Sequence, residues 1–129
     1  MRFSLVLATV GRTEELNRFF ASLDYATHRN FEVILVDQNP DDRLNSVLDH
    51  YDGRFPALHL RSERGLSRAR NVGLRRVTGD VVAFPDDDCW YPPNLLNQVE
   101  ILVLLYILLI PQSENSLLRC VIEIYLVQI

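Results

Sequence analysis

The sequence predicts an α/β domain built on a mostly parallel sheet. Short apolar runs alternate with helical patterns along most of the chain. The leading runs lack polar alternation, as strands buried on both faces do. Charged and polar residues gather where each run ends. Strands that alternate with helices form layered domains around parallel sheets.

The elements follow in order. Phe3 to Ala8 predicts the first strand, and Thr9-Val10-Gly11-Arg12 breaks it. Thr13 is placed to cap a helix with Glu14 and Glu15 in its first turn. Leu16, Phe19, Phe20 and Leu23 recur at helical spacing and carry that helix to about Ala26. Phe31 to Val36 predicts a second strand ending at Asp37, and Asn39-Pro40-Asp41-Asp42 a turn. A weaker helix runs from about Asp42 to Tyr51, and Ala57 to Leu60 is a short third strand. Leu66 to Val77 reads as an arginine-rich helix, bounded by Gly65 and Gly79. Asp80 to Phe84 forms a fourth strand, and a helix starts near Pro92 or Pro93, where proline suits a first turn.

Bulk properties narrow the function. With 129 residues the chain fits one domain. Apolar residues make up 48% and charged residues 23%, which excludes a disordered chain. The net charge of -4 gives no drive towards nucleic acid or anionic membranes. Cys89 and Cys120 form neither a disulfide framework nor a zinc spacing. They read as thiols in a reducing compartment, so a cytoplasmic location is expected. The N-terminus lacks the pattern of a secretory signal. The longest apolar run, Ile101 to Ile110, is well short of the roughly 20 residues that span a bilayer.

Ligands of open α/β sheets sit beyond the carboxyl ends of the strands. Here those ends are Thr9 to Arg12, Asp37 to Asn39, Arg61 to Arg64, and Asp86 to Asp88. Three consecutive carboxylates at a buried strand's end repel one another. A divalent cation relieves that cost, and Mg²⁺ or Mn²⁺ prefers such oxygen donors together with phosphates. In an extended stretch Asp86 and Asp88 share a face, while Asp87 points away unless a turn intervenes. An acidic solvent loop or a helix cap is the plainer reading of the same triplet. No Walker loop or dinucleotide fingerprint is present, which disfavours an ATPase or a nicotinamide enzyme.

These residues carry a resemblance to the inverting glycosyltransferase family 2, whose fold is called GT-A. The opening Val6-Leu7-Ala8-Thr9-Val10-Gly11-Arg12 resembles the family's first strand and its Pro-Thr-Tyr-Asn-Arg loop. Phe31 to Asp37 resembles its second strand with the terminal aspartate. Gly65-Leu66-Ser67-Arg68-Ala69-Arg70-Asn71-Val72-Gly73 is similar to its Gly-any-any-any-Ala-Arg-Asn-any-Gly signature. Gly79 to Asp88 resembles its metal-binding strand, and Trp90-Tyr91-Pro92-Pro93-Asn94 the segment that follows. The resemblance implies a Rossmann-like nucleotide-diphospho-sugar transferase fold, incomplete in this chain. It implies that Thr9, Arg12, Asp37, Asn39, Arg68, Asp86 and Asp87 bind the nucleotide and donor sugar. It further implies that Asp88, with Asp86, binds Mn²⁺ or Mg²⁺. The expected ligand is a UDP-, GDP- or dTDP-linked sugar, and the acceptor is an unidentified saccharide or lipid.

The chain also departs from that family. Val10-Gly11 replaces Tyr-Asn in the first loop. Catalytic domains of the family are longer, and their catalytic base lies beyond the metal strand, so no catalytic residue is assigned. Residues 1–98 are therefore expected to form a nucleotide-sugar-binding region. Residues 99–129 form an atypical apolar tail, as a truncation or altered reading frame would produce, offering self-association or peripheral membrane contact. Two other readings stay open: a non-catalytic or structural fragment lacking the acceptor half, and a related nucleotidyltransferase.

Overall fold

The computed structural model describes residues 1–109. The chain alternates β1 (Phe3–Thr9), α1 (Glu14–Asp24), β2 (Phe31–Asp37), α2 (Asn45–Tyr51), β3 (Ala57–Arg61), α3 (Leu66–Leu74), β4 (Val81–Ala83) and α4 (Leu95–Leu109). All pairings among the described residues are parallel, and the strand order is β3-β2-β1-β4. The register aligns Phe3 with Phe31 and Val81, and Thr9 with Asp37.

Period-two alternation explains the unbroken apolar runs of β1 and β2. Phe3, Leu5 and Leu7 of β1, with Phe31, Val33 and Leu35 of β2, face the larger core. Leu16, Phe19, Phe20 and Leu23 of α1 fill that core with Val47 and Tyr51 of α2 and Leu96, Val99 and Val103 of α4. The intervening Val6, Ile34 and Val36 face a smaller core roofed by α3. Ala69 and Gly73 let α3 approach the sheet closely. A Cβ on Gly73 would stand 2.4 Å from Val6 Cγ1 and 3.2 Å from Val36 Cγ2.

The strand starts are tied together by polar groups. Ser4 donates to Glu32 Oε1 at 2.6 Å, the Thr78 amide donates to the same oxygen at 2.8 Å, and the Gly79 amide donates to Ser4 Oγ at 2.8 Å. Burial works against the Glu32 charge, but Ser4, Thr78 and Arg2 together hold its pKa below the usual value.

Several boundaries differ from expectation. The third helix stops at Leu74, not Val77, and the fourth strand shortens to Val81–Ala83. Thr13 precedes α1 with helical backbone angles and makes no side-chain cap, so only its carbonyl serves the helix, accepting from Asn17 N at 3.0 Å. The fourth helix begins at Leu95, with its amide bonded to Pro92 O. It runs unbroken through residues 98 and 99. Beyond Val103 its apolar side chains at 104–109 are exposed, as are Ile101 and Leu102. No helix among the described residues is long and apolar enough to cross a membrane. The rest of the tail expected over residues 99–129, Cys120 included, lies outside the described residues.

Candidate functional site

The strand order reverses at β1. The chain builds outward from β1 through β2 to β3, then returns to pair β4 on the other side of β1. Ligands of open α/β sheets occupy the crevice at such a switch point. The loops after β1 and β4 therefore meet there, and they carry Thr9 to Arg12 and Asp86 to Asp88.

These loops are bonded to each other through Asp87. Thr9 Oγ1 donates to Asp87 Oδ2 at 2.8 Å, and Arg12 Nη1 donates to Asp87 Oδ1 at 3.0 Å. Arg12 Nη1 also lies 2.7 Å from Asp88 Oδ2. Thr9 is buried, while the Arg12 and Asp88 side chains are roughly half-exposed. Burial pushes the Asp87 pKa above its ordinary value; Thr9 and Arg12 oppose that rise, and Asp88 and Asp86 add to it. Asp87 thus points towards β1, where sequence spacing left its direction open. No hydrogen bond or ion pair engages the Asp86 carboxylate among the described residues, and it is exposed.

A second polar group surrounds Asp37. Its Oδ1 accepts from the Asn39 amide and from Asn39 Nδ2, both at 2.8 Å. Its Oδ2 accepts from His59 Nε2 at 2.9 Å and lies 3.4 Å from Arg61 Nη1. With 1% exposure, Asp37 is sealed from solvent. Asn39 turns its Oδ1 to the Gly11 amide at 2.7 Å, so β2 holds the loop after β1. Gly11 has φ 71°, a left-handed conformation that glycine takes without strain.

Between these groups lies an open cleft of about 350 Å³, lined by Ala8, Val10, Arg12, Gln38, Arg64, Gly65, Leu66, Asp86 and Asp87. The start of α3 forms one wall. Gln38 Oε1 accepts from the Gly65 amide at 2.8 Å and fixes that wall to β2. Arg12, Asp86 and Asp87 line the cleft; Thr9, Asp37 and Asn39 stand behind it. Arg68 pairs with Glu63 on the exposed side of α3, outside the lining. Tyr91 is buried edge-on against Phe19, centroids 5.1 Å apart, whereas Trp90 is exposed.

Sequence reasoning did not single out Gln38 or His59. Gln38 directly follows the β2 terminus, a position that the strand-end rule already marks. His59 joins Asp37 because β3 pairs with β2 in the register Leu35 to His59 and Asp37 to Arg61. That pairing has no local sequence signal.

The donors fit a hard cation in part. Asp86 and Asp88 offer exposed carboxylate oxygens, which suit Mg²⁺ or Mn²⁺ when a ligand's oxygens and water complete the shell. Among the described residues, no group of three or more His, Cys, Asp or Glu side chains converges into a protein-only metal cage.

Comparison with known proteins gives a consistent result. The model of the family described as "Glycosyl transferase family 2" matches residues 4–101. A dolichol-phosphate mannosyltransferase of Pyrococcus furiosus is 29% identical over 99 residues, covering 74% of this chain and 28% of that protein. An uncharacterized glycosyltransferase of Haemophilus influenzae is 36% identical over 92 residues, covering 69% of this chain and 30% of that protein. The chain thus spans under a third of the length of these curated relatives. The crystal structure of S. aureus TarS 1-349 aligns with a TM-score of 0.73 at 23% identity, covering 80% of this chain and 32% of that one. The same TarS segment in complex with UDP-GlcNAc also aligns with a TM-score of 0.73. The fold is accordingly GT-A-like, with parallel strands and helices alternating about one sheet.

Proposed function

The chain belongs to glycosyl transferase family 2, and on that premise we propose that it binds a nucleoside-diphosphate sugar for transfer of the sugar to an acceptor. The observation that carries this reading is the meeting of Arg12, Asp86 and Asp87 with the start of α3 in one cleft at the β1–β4 switch point. The cleft combines a cationic side chain, backbone amides at a helix start and free carboxylate oxygen. Those are the groups that a diphosphate and its cation need.

Each part has its role. Arg12 and Arg64 face the diphosphate. Asp86 and Asp88 would hold Mn²⁺ or Mg²⁺, which would supply positive charge to stabilise a departing diphosphate. Thr9 keeps the Asp87 carboxylate in place, and Asp37 acts through Asn39 to set the loop at Gly11. Arg68 reaches a ligand only by leaving Glu63. Proton removal from the acceptor hydroxyl needs a base in an inverting transfer. The roles proposed for the cleft residues concern the donor side of the reaction.

Calorimetric titration with UDP-, GDP- and dTDP-sugars, each with and without Mn²⁺, tests the proposal. One of these ligands is expected to bind with Mn²⁺ dependence that Asp88→Ala abolishes. Absence of binding to every one of them, in folded protein, overturns it.

A further inference from the structure

Arg12 occupies a position that the proposed cation also needs. Its Nη1 lies 2.7 Å from Asp88 Oδ2 and 3.0 Å from Asp87 Oδ1, so a single nitrogen bridges two neighbouring carboxylates. Two aspartates on consecutive residues repel strongly, and a guanidinium between them offsets much of that cost. Asp87 is further fixed by Thr9, which confines it to Arg12's side. Asp86, in contrast, is engaged by no side chain among the described residues and lines the cleft. The acidic triplet is thus split into a pair that shares one guanidinium and an open carboxylate.

We propose that Arg12 is an exchangeable counter-ion: it competes with a divalent cation for Asp88 and is passed to the donor's diphosphate when that cation binds. This rests on the metal reading above and extends it to how the site is kept ready. The physical ground is charge. Arg12 holds Asp88 Oδ2, so a metal ion on the same carboxylate would stand close to the guanidinium, and the two positive charges would repel. The exposed Arg12 side chain, 45% accessible, has the freedom to leave. It already lines the cleft where the diphosphate would lie, and a change of rotamer is the motion that would carry it from carboxylate to phosphate. Arginine suits both partners because its planar fork matches carboxylate and phosphate alike. The cost of separating the carboxylates' counter-ion is thereby recovered only when both cation and diphosphate are present. The result is cooperative binding of the two.

The test measures Mn²⁺ alone, then UDP with saturating Mn²⁺, on the full chain by calorimetry. Wild type, Arg12→Gln, Arg12→Lys and Asp88→Ala are compared, and circular dichroism confirms folding. Arg12→Gln is expected to bind Mn²⁺ about tenfold tighter than wild type, as loss of a competing charge predicts. The same variant is expected to bind UDP about tenfold more weakly at saturating Mn²⁺, with Arg12→Lys between the two on both measurements. Mn²⁺ affinity that is unchanged or weakened in Arg12→Gln overturns the exchange while leaving the metal reading intact, provided that Asp88→Ala still abolishes Mn²⁺ binding. UDP affinity that survives in Arg12→Gln overturns the transfer to the diphosphate. Absence of Mn²⁺ binding to wild type and to Arg12→Gln alike overturns both the exchange and the metal reading.

Discussion

The hydroxyl of Thr9 stands 2.8 Å from Asp87 Oδ2 and joins the end of β1 to the loop after β4 across 78 residues of sequence. The bond closes the switch point of the sheet. It also ties a buried hydroxyl to a carboxylate whose charge the surroundings disfavour.

Replacing Thr9 by valine keeps the shape and removes the donor. The expected loss is about 1.5–3 kcal/mol of folding stability, the usual worth of one hydrogen bond to a charged group. Nucleotide affinity should fall about tenfold, because Asp87, which lines the cleft, is then held by Arg12 alone. Urea denaturation and calorimetry measure the two effects. Full affinity in Thr9→Val would mean that Asp87 needs no such support.

Asp87→Asn separates stability from function. The raised pKa means that Asp87's contribution favours the fold below its ordinary value of 3.8. That contribution is lost as pH rises through the higher folded value. At neutral pH the charge is a burden on the fold, so the neutral asparagine should melt at the same temperature as wild type or above it. Nucleotide binding should decline in the same variant. A clear drop in melting temperature would show that the Arg12 and Thr9 contacts outweigh the desolvation.

Asp37→Ala should cost about 1–3 kcal/mol, since it leaves the buried Asn39 donors and the part-buried His59 without an acceptor. Asp37→Asn keeps one carbonyl and should cost less. Equal denaturation midpoints for wild type and Asp37→Ala would contradict the sealed position of this carboxylate.

Gly73→Ala should destabilise the fold by about 1–3 kcal/mol through overpacking against Val6. Neighbouring Val72, only partly buried, serves as the control, and Val72→Ala should cost less. The comparison needs only thermal melts of the two variants.

Acid should weaken the fold through Glu32. Its pKa is lowered from 4.5, so the stability that it supplies is present above that value and is lost as pH falls through the folded one. Glu32→Gln should flatten the acid limb of a stability–pH profile. Asp41, held down to about 2 by Arg43, acts in the same direction but is exposed, so salt should screen its part more than that of Glu32. An acid limb unaltered by Glu32→Gln would remove Glu32 from this role.

Much was legible locally. Apolar runs such as Phe3 to Ala8 and Phe31 to Val36 marked the central strands because both sheet faces are buried, and the spacing of Leu16, Phe19, Phe20 and Leu23 marked α1. Element ends were less legible. Val77 continues the apolar pattern of α3 but lies past its end, and Thr13 has a capping residue's chemistry without a cap's backbone angles. Tyr91 and Trp90 are adjacent, yet one enters the core and the other faces solvent.

By itself the sequence determined the order of strands and helices, the family likeness, and the sheet edge at which chemistry collects. Periodicity, turn residues and strand ends are local properties, and they travel with the chain. Only the tertiary structure decided which side chains meet. It set Asp87 against Thr9 and Arg12, sealed Asp37 behind Asn39 and His59, and turned Arg68 outward to Glu63. The reason is that these meetings depend on the strand order β3-β2-β1-β4 and on the register between strands. Long-range packing fixes both, and no short stretch of sequence encodes them.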